Sequence, residues 1–195
     1  MILSVSCKRQ DKLTLNPGSR NIDEVIAILP IDVFNNHRKV SAHESLAQLK
    51  AEDKREGMVL QLDMYRYFLR KISTMGYPKS FLQDVRMTNQ LLDESGLDYE
   101  DIPKIPKDQL ADILHVDGVV SVTVDQFGPQ KQVVGILNGN LRSYGVIARF
   151  TFHDETGQLI WKIDRKSRGA DDELTYGITK KIMRQIPESF PFKAI

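Results

Sequence analysis

The chain has 195 residues, a formal net charge of +1 and a single cysteine. That length suits one domain burying roughly 70% of its unfolded surface, so neither a disulfide nor a metal is needed to hold it together. With 27 basic against 26 acidic side chains, no global field recruits nucleic acid or an anionic membrane, and no nucleic-acid partner is expected.

Residues 1–7, MILSVSC, are a short, mostly apolar opening that ends on Cys7. Residues 8–23, KRQDKLTLNPGSRNID, mix charge with Asn-Pro-Gly and Ser and read as a linker. Residues 24–195 read as a single α/β domain. VIAILP, closed by Pro30, is rich in β-branched residues and predicts a strand covered on both faces. Ser41 followed by Glu44 has the spacing of a capping box, so a helix is expected to start there. AEDKREG, residues 51–57, is too charged to bury, but Met58, Leu62, Tyr65, Leu69 and Ile72 then recur at steps of four and three and predict one buried helical face.

Gly76 is a left-handed stop, and YPKSFLQDV is expected to return as a second strand. TNQLLDESG predicts a short helix closed by Gly96, followed by the loop LDYEDIPKIP. PKDQLADIL predicts another helix, with Pro106 at its first position. It leads into DGVVSVTVDQF, whose two faces are both largely apolar or β-branched, as an interior strand requires. GVIARFTF and QLIWKID alternate on either side of HDETG and predict a β-hairpin turning at Asp154 and Gly157. Asp171 to Glu173 open a last helix with Leu174, Ile178, Ile182 and Ile186 on one face and Lys180, Lys181 and Arg184 near its C-terminal end. The expected fold is therefore α/β (α+β): a mixed β-sheet flanked by helices, with a C-terminal β-hairpin and helix.

No glycine-rich phosphate loop, paired-histidine zinc motif, serine-nucleophile elbow or cysteine cluster occurs in the sequence. His43 has no second histidine one helical turn on, and His37, His115 and His153 are scattered. Asp93, Glu94, Asp98, Glu100 and Asp101 form an acidic stretch from which no acid/base pair stands out. No catalytic, cofactor-binding or metal-ligating residue is expected. Trp161, in an alternating hairpin strand, is expected to be a structural anchor in the core.

The helix ending at Val116 to Val120 and the hairpin carrying Asp154, Thr156, Gly157, Leu159 and Trp161 together resemble a family. Over residues 24 to 187 the chain is similar to the periplasmic lipoprotein domains grouped around the curli secretion factor CsgG, the TolB amino-terminal domain and the penicillin-binding-protein activator LpoB. The resemblance implies a shared α/β architecture without a common catalytic residue. It also implies lipidation of Cys7, since Leu3-Ser4-Val5-Ser6-Cys7 is a loose match to a lipobox, with Ser4 where a larger aliphatic is usual. The apolar stretch before it is shorter than the ~7–15 residues of a complete signal peptide.

The expected function is a non-enzymatic adaptor or assembly factor, lipid-anchored in an outer membrane, facing the periplasm and binding another envelope protein. Two alternatives carry different demands: a small periplasmic or cytosolic enzyme without a recognisable motif, and a secretion-channel subunit. The second would need strands of about 9–11 residues to span a membrane. KQVVGILNGNLRSYG, Lys131 to Gly145, is expected to form one short hairpin with Asn138-Gly139 at its turn and to contact the partner.

Overall fold

A computed structural model describes residues 13–14, 24–35, 45–134, 139–169 and 175–191. Its centre is a mixed sheet in which β4 (Gly118–Val134) is paired on both sides. On one side β2 (Ile26–Ile28) and β3 (Asp32–Asn35) run parallel to it; on the other, β5 (Gly139–Asp154) and then β6 (Leu159–Gly169) follow antiparallel. The β2 and β3 segments are one line of chain interrupted at Pro30, which has no N–H to give to the ladder. Leu29 N–H still donates to Val120 O at 2.9 Å, so the chain stays on β4 across the break. Within the segment read as a linker, β1 (Leu13–Thr14) pairs antiparallel with Lys162 and Trp161 of β6. Cys7 and the rest of residues 1–23 lie outside the described residues.

The β5–β6 turn forms as its sequence demands. Asp154 Oδ1 accepts from Thr156 N–H at 3.1 Å, Thr156 Oγ1 at 2.7 Å and Gln158 N–H at 2.9 Å, while Gly157 takes φ +78°. Trp161, just beyond the turn, is 2% exposed.

Helix α1 (Leu46–Thr74) is longer than the periodicity alone predicts, because AEDKREG is part of it. Its capping box uses Ser45 and Gln48: Gln48 N–H donates to Ser45 Oγ at 3.2 Å and Ser45 N–H to Gln48 Oε1 at 2.8 Å. The predicted start at Ser41 and Glu44 lies outside the described residues. The buried face also differs from the expected one. Leu60, Met64, Phe68 and Ile72 face the sheet, whereas Leu62 is 38% exposed and Met58, Tyr65 and Leu69 are half-buried.

Gly57 explains the choice between these two apolar stripes. It shares the first stripe's face and lies where any Cβ would collide with the Ile31 carbonyl and the Tyr99 hydroxyl. Only a bare glycine permits that approach, so the helix turns its glycine side inward.

YPKSFLQDV is not a strand. Lys79–Phe81 forms a 3₁₀ turn, and the segment's pairing with the sheet is a single bridge, Leu82 with Ile26, where Gln83 N–H donates to Ile26 O at 2.9 Å. Asp84 instead accepts from Arg86 N–H at 2.8 Å and caps α2 (Val85–Glu94), so a capping signal overrides the β-prone residues before it. Gly96 follows α2 with φ +73°, and α3 (Lys107–Leu114) starts one residue after Pro106, which is its N-cap. Helix α4 (Thr175–Gln185) buries Ile178 and Ile182; Asp171 to Leu174 lie outside the described residues.

The helices cover the two sheet faces unequally. On one face α1 and α4 close over Val120, Val122, Val124, Phe150, Phe152 and Trp161. Phe190 anchors this layer, meeting Phe68, Phe152 and Trp161 edge-on at 5.0, 5.2 and 5.3 Å. On the other face α2 and α3 close over a smaller apolar patch, Ala27, Leu29 and Val119, using Leu92, Leu110 and Leu114.

Candidate functional site

Past the edge of α3 the second sheet face turns polar. The β4 residues that share a face with Val119 are Ser121, Thr123 and Asp125, by strand alternation. Pairing sets Ser121 beside Thr151, Thr123 between Asp32 and Arg149, and Asp125 between Phe34 and Ile147. Arg149 continues its row to Asp164 on β6, with Nε to Oδ1 at 3.4 Å.

Two adjoining cavities open where this polar floor meets the loop between α2 and α3. One, of about 410 Å³, is bounded by Asp32, Phe34, Lys50, Tyr99, Glu100 and Lys104. The other, of about 140 Å³, has Lys107, Ser121, Thr123 and Thr151 around it, and both share Asp32 and Pro103. Tyr99 fixes the wall between α1 and β3 by donating its hydroxyl hydrogen to Ile31 O. Burial, together with the nearby Asp32, Asp53 and Glu56 carboxylates, pushes the Tyr99 phenol far up, so it stays a donor.

The charged groups here are held in different states. Burial pushes the Asp32 carboxyl above the usual carboxylate range; Asp125 adds to this, and Lys104 and Lys107 oppose it. Burial pushes the Lys107 ammonium down, with Asp32 opposing. Among the described residues Lys107 Nζ reaches two carbonyls, Pro103 O at 3.4 Å and Ile105 O at 3.3 Å. Neighbouring lysines differ: Lys104 pairs with Asp101 at 2.7 Å and Lys50 with Glu100 at 2.6 Å. Burial and the Lys107 charge lower the His153 imidazole, with Asp154 opposing, and among the described residues its buried Nδ1 has no hydrogen-bond partner. The buried Ser121 Oγ has none either.

The residues singled out by sequence fall elsewhere. Exposed His115 is the left-handed C-cap of α3 with φ 53°, and His153 lies in β5; His37 and His43 are outside the described residues. Glu100 and Asp101 are ion-paired as above, and Glu94 accepts from Gln90 Nε2 at 2.7 Å. Among the described residues no three His, Cys, Asp or Glu side chains gather as a metal set. Sequence reasoning missed the cavity group of Asp32, Lys107, Ser121, Thr123 and Thr151. One signal existed: Ser121, Thr123 and Asp125 recur at every second position in a stretch, residues 119–125, otherwise made of valine. A strand covered on both faces would place apolar side chains there.

The second candidate region is the far end of the β4–β5 hairpin. The last pair of β3 on β4 is Asn35 with Gln126, and the last of β6 on β5 is Gly169 with Tyr144. Beyond a register shift between Phe127 and Gln130, β4 and β5 continue pairing from Gln130 with Ser143 to Val134 with Gly139. Among the described residues this stretch is a two-stranded ribbon. Gly139 belongs to a strand rather than the expected turn, and Asn138 lies outside the described residues.

The fold and its two candidate regions define a single α/β domain with a mixed, helix-flanked sheet. No protein-family model matches the chain, and no curated protein does. Among solved structures it is similar to the lipoprotein GNA1162 from Neisseria meningitidis, at 14% identity and TM-score 0.49, over 85% of this chain and 96% of that one. It is also similar to PelC from Paraburkholderia phytofirmans, solved as a dodecamer, at 9% identity and TM-score 0.45, over 88% and 91%. A third similar structure is the hypothetical protein CT253 from Chlamydia trachomatis, at 13% identity and TM-score 0.42, over 86% and 94%. Likeness at this level transfers no function.

Proposed function

We propose that the chain is a non-enzymatic envelope lipoprotein, anchored through Cys7 in an outer membrane, that serves from the periplasmic side as an adaptor or assembly factor. The observation supporting this reading is the β4–β5 ribbon. A two-stranded ribbon is marginally stable alone in water, and its edges carry backbone donors and acceptors suited to pairing with another chain. Among the described residues the ribbon arms beyond β3 and β6 cover residues 127–134 and 139–143, fewer than the ~9–11 residues of a membrane-spanning strand. That favours a protein contact over a channel wall.

The test is co-purification of the full-length gene product from detergent-extracted membranes, with and without residues 132–143. The same envelope protein is expected with the intact chain and lost with the deletion, while the deleted chain keeps its cooperative thermal unfolding. Intact mass of the extracted protein is expected to begin at Cys7 carrying lipid. Retention of the partner by the deleted chain, or a mature mass that still contains Met1 to Ser6, overturns the reading.

A further inference from the structure

Lys107 is a weakly compensated cation in the cleft. Its ammonium is half-buried, reaches two carbonyls only at 3.3 and 3.4 Å, and makes no ion pair among the described residues. A cation removed from water is costly unless an anion or strong acceptors compensate it. Asp32 shares the cavity wall but does not pair with Lys107. Ser121, Thr123 and Thr151 line the same 140 Å³ space. Among the described residues Ser121 Oγ is buried without a hydrogen-bond partner, a state that is costly when nothing satisfies it. Leu29, Pro30, Ile102 and Pro103 form apolar walls, which strengthen any charge interaction made inside.

We propose that this cavity binds the carboxylate of a small organic acid, with Lys107 as counter-ion, the Ser121, Thr123 and Thr151 hydroxyls as hydrogen-bond donors, and the acid's body in the larger chamber beside Phe34. The charge balance selects the head group. One lysine matches one negative charge, and because the Asp32 and Asp125 carboxylates on the same sheet face oppose every added negative charge, a dianion such as phosphate is opposed more strongly than a monoanion. A cationic head group meets Lys107 directly. Size agrees: at about 30 Å³ per water, 140 Å³ holds roughly five water volumes, enough for a carboxylate and its first carbons. The remainder of the ligand continues past Asp32 and Pro103 into the 410 Å³ chamber, where Phe34 is 46% exposed. An exposed phenylalanine beside a chamber suits an aromatic or aliphatic body.

The proposal does not rest on the adaptor reading, since Lys107 and the ribbon are separate parts of the fold. Benzoate is the probe and benzamide its neutral counterpart, followed by amide resonances in ¹⁵N-labelled protein. Benzoate is expected to shift the Ser121 to Thr123 and Thr151 signals saturably, and benzamide to need at least about tenfold higher concentration, the factor a charged hydrogen bond supplies. Lys107→Gln is expected to weaken benzoate by a similar factor at unchanged melting temperature. Thr151→Val is the second variant and is expected to weaken benzoate less. Equal response to benzamide, undiminished binding in Lys107→Gln, or shifts that never saturate overturn the proposal.

Discussion

The two faces of the sheet are built on opposite rules, although neighbouring residues of the same strands supply both. Phe150 is fully buried beneath α1 and α4, while Arg149, one residue earlier, is exposed and pairs with Asp164. Val122 and Val124 lie in the apolar layer, and Ser121, Thr123 and Asp125 line the polar floor. The first face gathers large side chains, each contributing about 1.5–3 kcal/mol on burial. The second leaves polar groups short of partners, which is poor for stability and useful for recognition. Stability and candidate binding chemistry are thus segregated by strand alternation.

The sharpest way to break this comparison is at Trp161, buried in the first face with its ring against Phe190. Trp161→Ala is expected to cost about 3–5 kcal/mol, lowering the melting temperature by roughly 6–20 °C. Arg149→Ala on the opposite face is expected to stay within about 1 kcal/mol, because its ion pair is half-exposed. Similar losses for both variants would erase the distinction between the faces.

Gly57 sharpens the comparison from the helix side. On propensity alone Gly57→Ala would stabilise α1 by about 1 kcal/mol. The collision with Ile31 O and the Tyr99 hydroxyl predicts instead a net loss of about 1–3 kcal/mol, read as a lower urea midpoint at unchanged slope. A raised midpoint would show that α1 does not approach β3 as closely as described.

Asp32 gives the smallest effect and a pH signature. Because its folded carboxyl is held above the usual range, the folded state binds the proton more tightly, and that contribution to stability is lost as pH rises through the folded value. Ionised Asp32 therefore costs stability at neutral pH. Asp32→Asn is expected to raise the melting temperature slightly at pH 7, within about 1 kcal/mol because the group is half-exposed, with the gain vanishing at acid pH. A loss at pH 7 contradicts the assignment.

The central strand and the Asp154 to Gly157 turn were legible because their signals are local: a run of valines, and an aspartate three residues before a glycine. The buried stripe of α1 was not, since two apolar stripes lie side by side on that helix. Which one faces inward depends on Gly57 meeting Ile31 and Tyr99, residues far away in sequence. YPKSFLQDV has the β-prone residues of a strand, but Asp84 captures the following amides as a helix cap. The cavity group was hidden for a related reason. Serine and threonine in a strand look like ordinary β-formers until the fold shows that they border a cavity rather than a packed apolar layer, and Lys107 carries no motif at all.

Partner recognition through the β4–β5 ribbon, apart from the helix-covered core and the sheet-face cavity, is the proposal on which the adaptor reading stands. A photo-cross-linking amino acid at Gln132 or Leu141, which face each other across the ribbon, tests it directly against the same probe at Val59 of α1, 44% exposed. In intact envelopes the ribbon positions are expected to give one shared adduct with a different protein, and Val59 none. Adducts from Val59 alone, none from the ribbon, or ribbon adducts only with a second copy of this chain contradict it.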